Sequence, residues 1–267
     1  KLTAVQTAAR AVCDGLDGVE DGLIENPRAC NFDPSSMVCK ANDASDCLTE
    51  GQVTALRRIY GGPINPRTGE QIFPGYPIGT EAVPGGWVPW IVPANSQAPT
   101  IQASFGNSYY GHAVFEQSNW DFSTLDFDRD VAFGDAKAGP VLNATNPDLR
   151  SFRANGGKLI QYHGWGDAAI TAVSSIDYYE SVRSFLERFP DPRSKNTEID
   201  DFYRLFLVPG MGHCSGGIGP SSFGNEFPSA RIDAEHDLLS ALEAWVEQET
   251  APEKLIGTGT GVNEPTA

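Results

Sequence analysis

Two short apolar runs in this chain each lead, through a glycine-rich turn, to a side chain that can move or orient a proton. Residues 205–208 are apolar and precede a Pro-Gly turn, after which Gly-Met-Gly leads to His213. Residues 158–162 form a second strand-like run, and the turn that follows it ends at Asp167. An imidazole that a carboxylate orients can act as a general base. Nearby backbone satisfies many single loop histidines, so the pair of motifs favours catalysis more than His213 alone does.

The elements around these motifs alternate between strand and helix, which predicts a parallel sheet with crossover connections. A helix that opens at residues 174–177 separates the strand-like run at 158–162 from a strand at 203–208. A last helix covers residues 233–248. In α/β-hydrolases the triad runs nucleophile, acid, histidine along the chain, and Asp167 and His213 fit the second and third places. The predicted fold class is therefore α/β, the C-terminal part of an α/β-hydrolase. No G-x-S-x-G motif supplies the nucleophile.

The segment at residues 61–105 is rich in glycine, proline and aromatic residues and shows no helix or strand period. A loop of this length is usually functional. It predicts an irregular lid whose rings line a pocket for a flat substrate; plain packing of a helix-poor domain is the alternative. We predict an inserted lid domain at 1–137 and the C-terminal part of the hydrolase domain at 138–267.

Four of the five cysteines lie between residues 13 and 47, without a CxxC pair or a nearby histidine. This pattern disfavours zinc and favours two local disulfides in a secreted protein. The simplest of the three connectivities is Cys13–Cys30 with Cys39–Cys47. The remaining Cys214 predicts either a thiol or a bond to a cysteine outside this chain. A sequon at residues 143–145 predicts glycosylation of Asn143.

Three aspartates, Asp14, Asp17 and Asp21, lie within eight residues, each beside a glycine. Calcium takes roughly six to eight oxygen ligands, mainly carboxylates and carbonyls. The backbone carbonyls of Val19 and Leu23 could complete such a shell. The spacing differs from an EF-hand loop, and solvated Asp-Gly turns are the alternative. The predicted cofactor is structural calcium.

Composition excludes several classes of partner. The formal net charge of −16 argues against nucleic acid and against an anionic membrane surface. No apolar run reaches the roughly 18 residues that a membrane span needs. The four histidines are not paired at ligand spacing, which disfavours a zinc hydrolase.

With these motifs in place, the chain resembles the tannase and feruloyl esterase family of secreted serine esterases. Three segments carry the resemblance: YHGWGD at 162–167, VPGMGHC at 208–214 and CDGLDGVEDG at 13–22. It implies that Asp167 is the triad acid, that His213 is the base, and that Cys214 bonds to a cysteine preceding the nucleophilic serine. The implied calcium ligands are Asp14, Asp17 and Asp21 with the carbonyls of Val19 and Leu23.

The chain departs from the family pattern at the nucleophile. Its Cys-Ser pair, Cys214-Ser215, follows the histidine, so the serine is expected on another polypeptide. Some family members are cut into two chains joined by disulfides. The resemblance implies that this chain is the C-terminal one and that its partner is the N-terminal chain of the same precursor. A homodimer of the assembled enzyme stays open.

The resemblance implies an extracellular carboxylesterase that releases a phenolic acid, either gallate or a hydroxycinnamate such as ferulate. Two alternatives remain. One is an aryl-ester hydrolase of other specificity. The other, which the missing nucleophile suggests, is a non-catalytic, calcium-stabilised extracellular binding module. His163 is assigned no role.

Overall fold

The computed structural model describes residues 1–95, 97–190, 198–225, 229 and 231–259. The predicted hydrolase part extends to residue 267, and its stretch 260–267 lies outside the described residues. The α-helices are α1 (Leu2–Cys13), α2 (Glu50–Gly61), α3 (Trp87–Trp90), α4 (Ile101–Ser108), α5 (Arg129–Lys137), α6 (Gly139–Leu142), α7 (Arg150–Ala154), α8 (Val173–Arg188) and α9 (Leu238–Gln248). A π-helical turn, Tyr109–Val114, follows α4 directly.

The described sheet consists of two parallel strands, β1 (Leu159–Gly164) and β2 (Tyr203–Val208). Their register runs from Leu159 opposite Tyr203 to Gly164 opposite Val208. Helix α8 lies between them in the chain, so the predicted strand–helix–strand unit is confirmed. This agrees with the α/β class. An α/β-hydrolase sheet has more strands than these two, so the finer assignment stays a prediction.

The first hydrophobic core joins the N-terminal helices to the loop after β1. Val5 and Ala9 of α1, Val53 of α2 and Trp87 of α3 are almost fully buried, and Ala168 packs in the same cluster. Burying a large apolar side chain contributes about 1.5–3 kcal/mol. The first part of the chain therefore packs directly against the Asp167 loop.

Two smaller cores lie around the strands. Val182 and Phe202 belong to one, and Trp165 and Ile176 belong to the other. In the second of these, Leu205 of β2 packs against the buried residues. Helix α8 is thereby fixed against the sheet.

Two helices begin at residues other than those that the sequence predicts. Helix α8 begins at Val173 without a side-chain cap, and the hydroxyl of Ser174 donates to the carbonyl of Thr171. Helix α9 begins at Leu238, where Asp237 caps it, rather than at residue 233. Helix α2 begins with a capping box, in which the Thr49 hydroxyl accepts from Gln52 N and the Gln52 side chain accepts from Thr49 N.

Both predicted local disulfides are present, Cys13–Cys30 and Cys39–Cys47. The segment 61–105 is irregular apart from α3 and the start of α4. Asn143 lies exposed directly after α6, where a glycan would be accessible, and its glycosylation stays a prediction. Among the described residues, none of the helices has the length and hydropathy of a membrane span.

Candidate active site

The carboxyl ends of β1 and β2 lie side by side, and backbone hydrogen bonds join the loops that follow them. Trp165 N donates to Val208 O at 2.9 Å, and Gly166 N donates to Met211 O at 2.8 Å. A Cβ atom at Gly164 would collide with the carbonyl oxygen of Met211, so glycine permits this approach. The two glycine-rich turns therefore bring the loops together.

Asp167 and His213 meet where these two loops touch. His213 Nδ1 lies 2.9 Å from Asp167 Oδ2. The other carboxylate oxygen, Oδ1, accepts the backbone N–H groups of Ala169 at 2.8 Å and Ile170 at 2.9 Å. With Nδ1 held by the carboxylate, His213 presents Nε2 on the opposite side of its ring. The structure thus brings together the residues predicted as acid and base.

A second imidazole contacts the same carboxylate oxygen. His163 Nε2 lies 3.1 Å from Asp167 Oδ2 and 3.0 Å from the carbonyl oxygen of Ile170. Its Nδ1 lies 2.7 Å from Ser175 Oγ on α8. The sequence analysis gave His163 no role, although an imidazole four positions before Asp167, near the end of β1, was the available signal.

Asp167 is buried, with 5% of its surface exposed. Burial alone would raise the pKa of this carboxyl group. The hydrogen bonds from His163, the Ile170 amide, His213 and the Ala169 amide outweigh burial and hold the pKa of Asp167 below its ordinary value. An ionised Asp167 can stabilise the positive charge of an imidazole that has accepted a proton.

Two aromatic rings, Trp90 and Phe105, form a wall beside His213. The Trp90 ring meets the His213 ring edge-on at a centroid distance of 5.5 Å. Trp90 also stacks on Phe105, with centroids 6.2 Å apart and planes 4° from parallel. Phe105 is 63% exposed. The wall therefore offers a flat apolar surface, open to solvent, next to the imidazole.

Two residues of the segment 61–105, Tyr76 and Gln102, form hydrogen bonds to the loop that carries Asp167. Gln102 Nε2 donates to the carbonyl of Ala169 at 2.7 Å and to Tyr76 Oη at 2.8 Å, and Tyr76 Oη donates to the same carbonyl at 3.3 Å. Burial, with the nearby charge of Asp167, raises the pKa of Tyr76 to about 12. The phenol therefore stays a neutral donor, and the segment fixes the loop in which Asp167 sits.

Cys214 lies at the surface directly after His213. Its backbone has a left-handed conformation with φ 63°, and its carbonyl accepts a bond from Asn225 Nδ2 at 3.1 Å. The other four cysteines are bonded to one another. The position is suited to a disulfide that would fix the His213 loop, and that disulfide stays a prediction.

The acidic loop is folded upon its own backbone. Asp17 accepts from Val19 N at 2.8 Å and Asp21 accepts from Leu23 N at 3.0 Å. Asp14 accepts from the backbone N–H of Gly22 at 3.0 Å. These bonds direct the carboxylate oxygens toward backbone N–H groups. The loop nevertheless contains carboxylate and carbonyl oxygens, which are the ligands that calcium prefers.

Oxygens that share one calcium ion lie within about 5 Å of one another, because each sits 2.3–2.6 Å from the metal. Asp14, Asp17 and Asp21 do not meet that condition as a group in the described part of the chain. The described cluster that does, Cys39, Asp43 and Cys47, contains two sulfurs already joined as a disulfide. The calcium ligands therefore stay a prediction that requires the carboxylates to rotate.

Curated relatives match this chain in sequence over almost its whole length. An uncharacterized esterase of Xanthomonas campestris is 40% identical over 99% of this chain and 48% of its own length. Feruloyl esterase C of Talaromyces stipitatus is 32% identical over 97% of this chain and 46% of its own length. The chain thus spans about half the length of the curated relatives that it matches.

Solved structures agree with these relatives. Feruloyl esterase B from Aspergillus oryzae superposes with a TM-score of 0.84 at 30% identity, over 98% of this chain and 50% of that one. Tannin acyl hydrolase from Aspergillus niger, at 22% identity, shares the fold with a TM-score of 0.70 over 98% of this chain and 49% of that one. The family model for tannase and feruloyl esterase matches residues 1–266. The chain belongs to the tannase and feruloyl esterase family.

Proposed function

We propose that this chain supplies the acid and the base of a serine carboxylesterase, Asp167 and His213, and the aromatic wall that receives the substrate. The nucleophilic serine comes from polypeptide outside these residues. The observation that carries the proposal is the bond of 2.9 Å between His213 Nδ1 and a buried carboxylate, with the aromatic wall beside the same imidazole.

The reaction follows from this geometry. His213 Nε2 accepts the proton of the serine hydroxyl as the oxygen attacks the ester carbonyl. Asp167 keeps the Nδ1 proton in place and stabilises the imidazolium that forms. The imidazolium then protonates the departing alcohol, and a water molecule repeats the sequence to release the acid. Whenever the imidazolium forms, its positive charge lies beside the buried carboxylate of Asp167.

We assign the substrates to esters of phenolic acids, with hydroxycinnamates such as ferulate ahead of gallate. Trp90 and Phe105 offer a flat surface on which a phenyl ring can stack. The relatives at or above 30% identity include feruloyl esterases, whereas the tannin acyl hydrolase supports only the fold.

The partner that we propose is the N-terminal chain of the same precursor, linked through Cys214. This bond would hold the His213 loop close to a serine on the other polypeptide. The two disulfides within this chain support an oxidising, extracellular setting. Intact mass of the mature protein before and after reduction tests the linkage; if reduction releases no second chain, the linkage is contradicted.

The activity is tested with the complete enzyme on methyl ferulate and methyl gallate. We expect His213→Ala to abolish hydrolysis of both esters. A matched control is His236→Ala, because His236 Nδ1 contacts Asp233 at 2.7 Å in an equivalent pair elsewhere. Labelling by a serine-directed phosphonate should follow activity. No hydrolysis and no label on the wild-type protein would refute the proposal and favour a calcium-stabilised binding module.

We also propose that calcium stabilises the acidic loop. Burial raises the pKa of Glu25, and the charges of Asp17 and Asp21 raise it further, so negative charge is concentrated there. A chelator should lower the Tm, and added calcium should restore it. Asp21→Asn should remove this response, whereas Asp43→Asn should keep it. If neither the chelator nor added calcium changes the Tm, the proposed calcium site is contradicted.

A further inference from the structure

A continuous chain of side-chain hydrogen bonds runs from β2 to Asp167. Tyr203 Oη donates to Gln161 Oε1. Gln161 Nε2 donates to Ser175 Oγ at 2.8 Å, and Ser175 Oγ lies 2.7 Å from His163 Nδ1. His163 Nε2 then reaches Asp167 Oδ2 at 3.1 Å. Gln161 and His163 are two positions apart on β1, so both lie on the same face of the strand, and both contact Ser175 of α8.

The hydrogen-bond partners of His163 determine which of its ring nitrogens carries the hydrogen. Its Nε2 faces a carboxylate oxygen of Asp167 and the carbonyl oxygen of Ile170, which only accept hydrogen bonds. Nε2 must therefore carry hydrogen. At the other end, Ser175 Oγ receives a bond from the Gln161 amide, which leaves its own hydrogen for Nδ1. Both ends of the ring demand the same tautomer.

We propose that His163 is a positioning residue for the esterase reaction: it donates a permanent hydrogen bond to Asp167, and Tyr203, Gln161 and Ser175 lock it in the donating tautomer. This inference rests on the proposed function. His163 acts through Asp167, which in turn holds His213.

If the hydrogen bond from His163 is removed, few other donors can take its place at Asp167. Its Oδ1 already accepts two backbone N–H groups, and its Oδ2 accepts from the two imidazoles. The carboxylate is 5% exposed, so water can reach it poorly. Without His163, the charge of Asp167 loses one of its four donors, and the carboxylate gains freedom to turn away from His213.

The pH dependence distinguishes positioning from simple packing. Burial raises the pKa of Asp167, and the bond from His163 is the largest of the contributions that lower it. Removing that bond should raise the pKa of Asp167, so the carboxylate is neutralised at a higher pH. A titration of the Asp167 carboxyl group should therefore move to higher pH. The value of kcat should fall because Asp167 holds His213 less firmly, while KM stays unchanged because His163 does not touch substrate.

The test uses the complete enzyme and methyl ferulate. For His163→Leu we expect the titration of the Asp167 carboxyl, followed by carbon-13 NMR, to move up by about one pH unit, since hydrogen bonds to charged groups are worth about that much. We also expect kcat to fall without a change in KM. His163→Gln can still donate to Asp167 and should recover most of the titration and of kcat. Ser175→Ala releases the tautomer lock and should move the carboxyl titration less far in the same direction. Ser174→Ala is the matched control, because the hydroxyl of Ser174 on the same helix donates to the Thr171 carbonyl instead.

The inference is overturned by a wild-type carboxyl titration together with a wild-type kcat in His163→Leu. If that variant fails to fold, a Ser175→Ala carboxyl titration that superimposes on the wild type has the same force. Carbon-13 NMR titration of the Asp167 carboxyl gives a readout that needs no substrate. If the wild type hydrolyses no ester, the proposed function falls, and an unshifted carboxyl titration in His163→Leu or Ser175→Ala refutes the positioning role separately.

Discussion

Replacing Asp167 by Asn changes one atom of the site and reverses one set of hydrogen bonds. The amide oxygen of Asn can still accept from Ala169 N and Ile170 N, which now bond Oδ1. The NH₂ group then takes the place of Oδ2, which faces His213 Nδ1 at 2.9 Å and His163 Nε2 at 3.1 Å. It would meet two N–H donors, so His213 must turn or adopt the tautomer with hydrogen on Nε2.

That tautomer cannot accept the serine proton. The corresponding change in a serine protease triad lowers kcat by about 10⁴, which is about 5.5 kcal/mol in the barrier. We expect a loss of this size here, because the imidazole has the same dependence on one carboxylate. The assay is kcat on methyl ferulate for the complete enzyme, with folding checked by circular dichroism.

The matched control is Asp233→Asn, which removes the carboxylate from the surface pair with His236. Its kcat should equal that of the wild type. A kcat within tenfold of the wild type for Asp167→Asn, in a folded enzyme, would refute Asp167 as the triad acid.

Three further predictions concern stability and substrate binding. The pKa of Asp167 is lowered in the folded state; its stabilising contribution is therefore present above the unfolded value of about 4 and is lost as pH falls through the lower folded value. The urea midpoint should fall with pH in that acid range, and it should fall less for Asp167→Asn; equal slopes contradict the linkage. Removing the Cys13–Cys30 bond, which spans 17 residues, should cost about 3 kcal/mol in urea unfolding, and an unchanged midpoint would show that the bond does not constrain the unfolded chain. Trp90→Ala should raise KM for methyl ferulate about tenfold, because the ring beside His213 is lost, whereas a larger effect on kcat than on KM would show that Trp90 positions the imidazole.

The juxtaposition of Asp167 and His213 could be predicted because it follows from topology. Each residue comes directly after a strand, and the carboxyl ends of adjacent parallel strands meet at one edge of the sheet. The Cys13–Cys30 and Cys39–Cys47 bonds could be predicted because they close the shortest loops that use each cysteine once. In both cases local spacing carries the information.

The contacts between distant segments could not be predicted. Gln102 reaches the carbonyl of Ala169 from 67 residues away, and Tyr76 reaches it from 93. No period or spacing in the sequence links these positions. The start of α9 was misplaced for a local reason: Asp233 and Asp237 are both helix-capping residues, and the structure uses the second.

Asp167 shows how much of the site this chain completes by itself. Both oxygens of the carboxylate are bonded, and all four donors come from this chain: the Ala169 and Ile170 amides, His163 and His213. In the proposed mechanism, the acid–base half of the reaction is therefore organised within this chain, which agrees with electrostatic preorganisation as the main source of rate enhancement. The proposed partner polypeptide would then have two tasks, to bring a hydroxyl to Nε2 and to supply N–H donors for the oxyanion. Because Cys214 follows His213 directly, a bond at that position would restrict the distance between the two halves without disturbing the donors around Asp167.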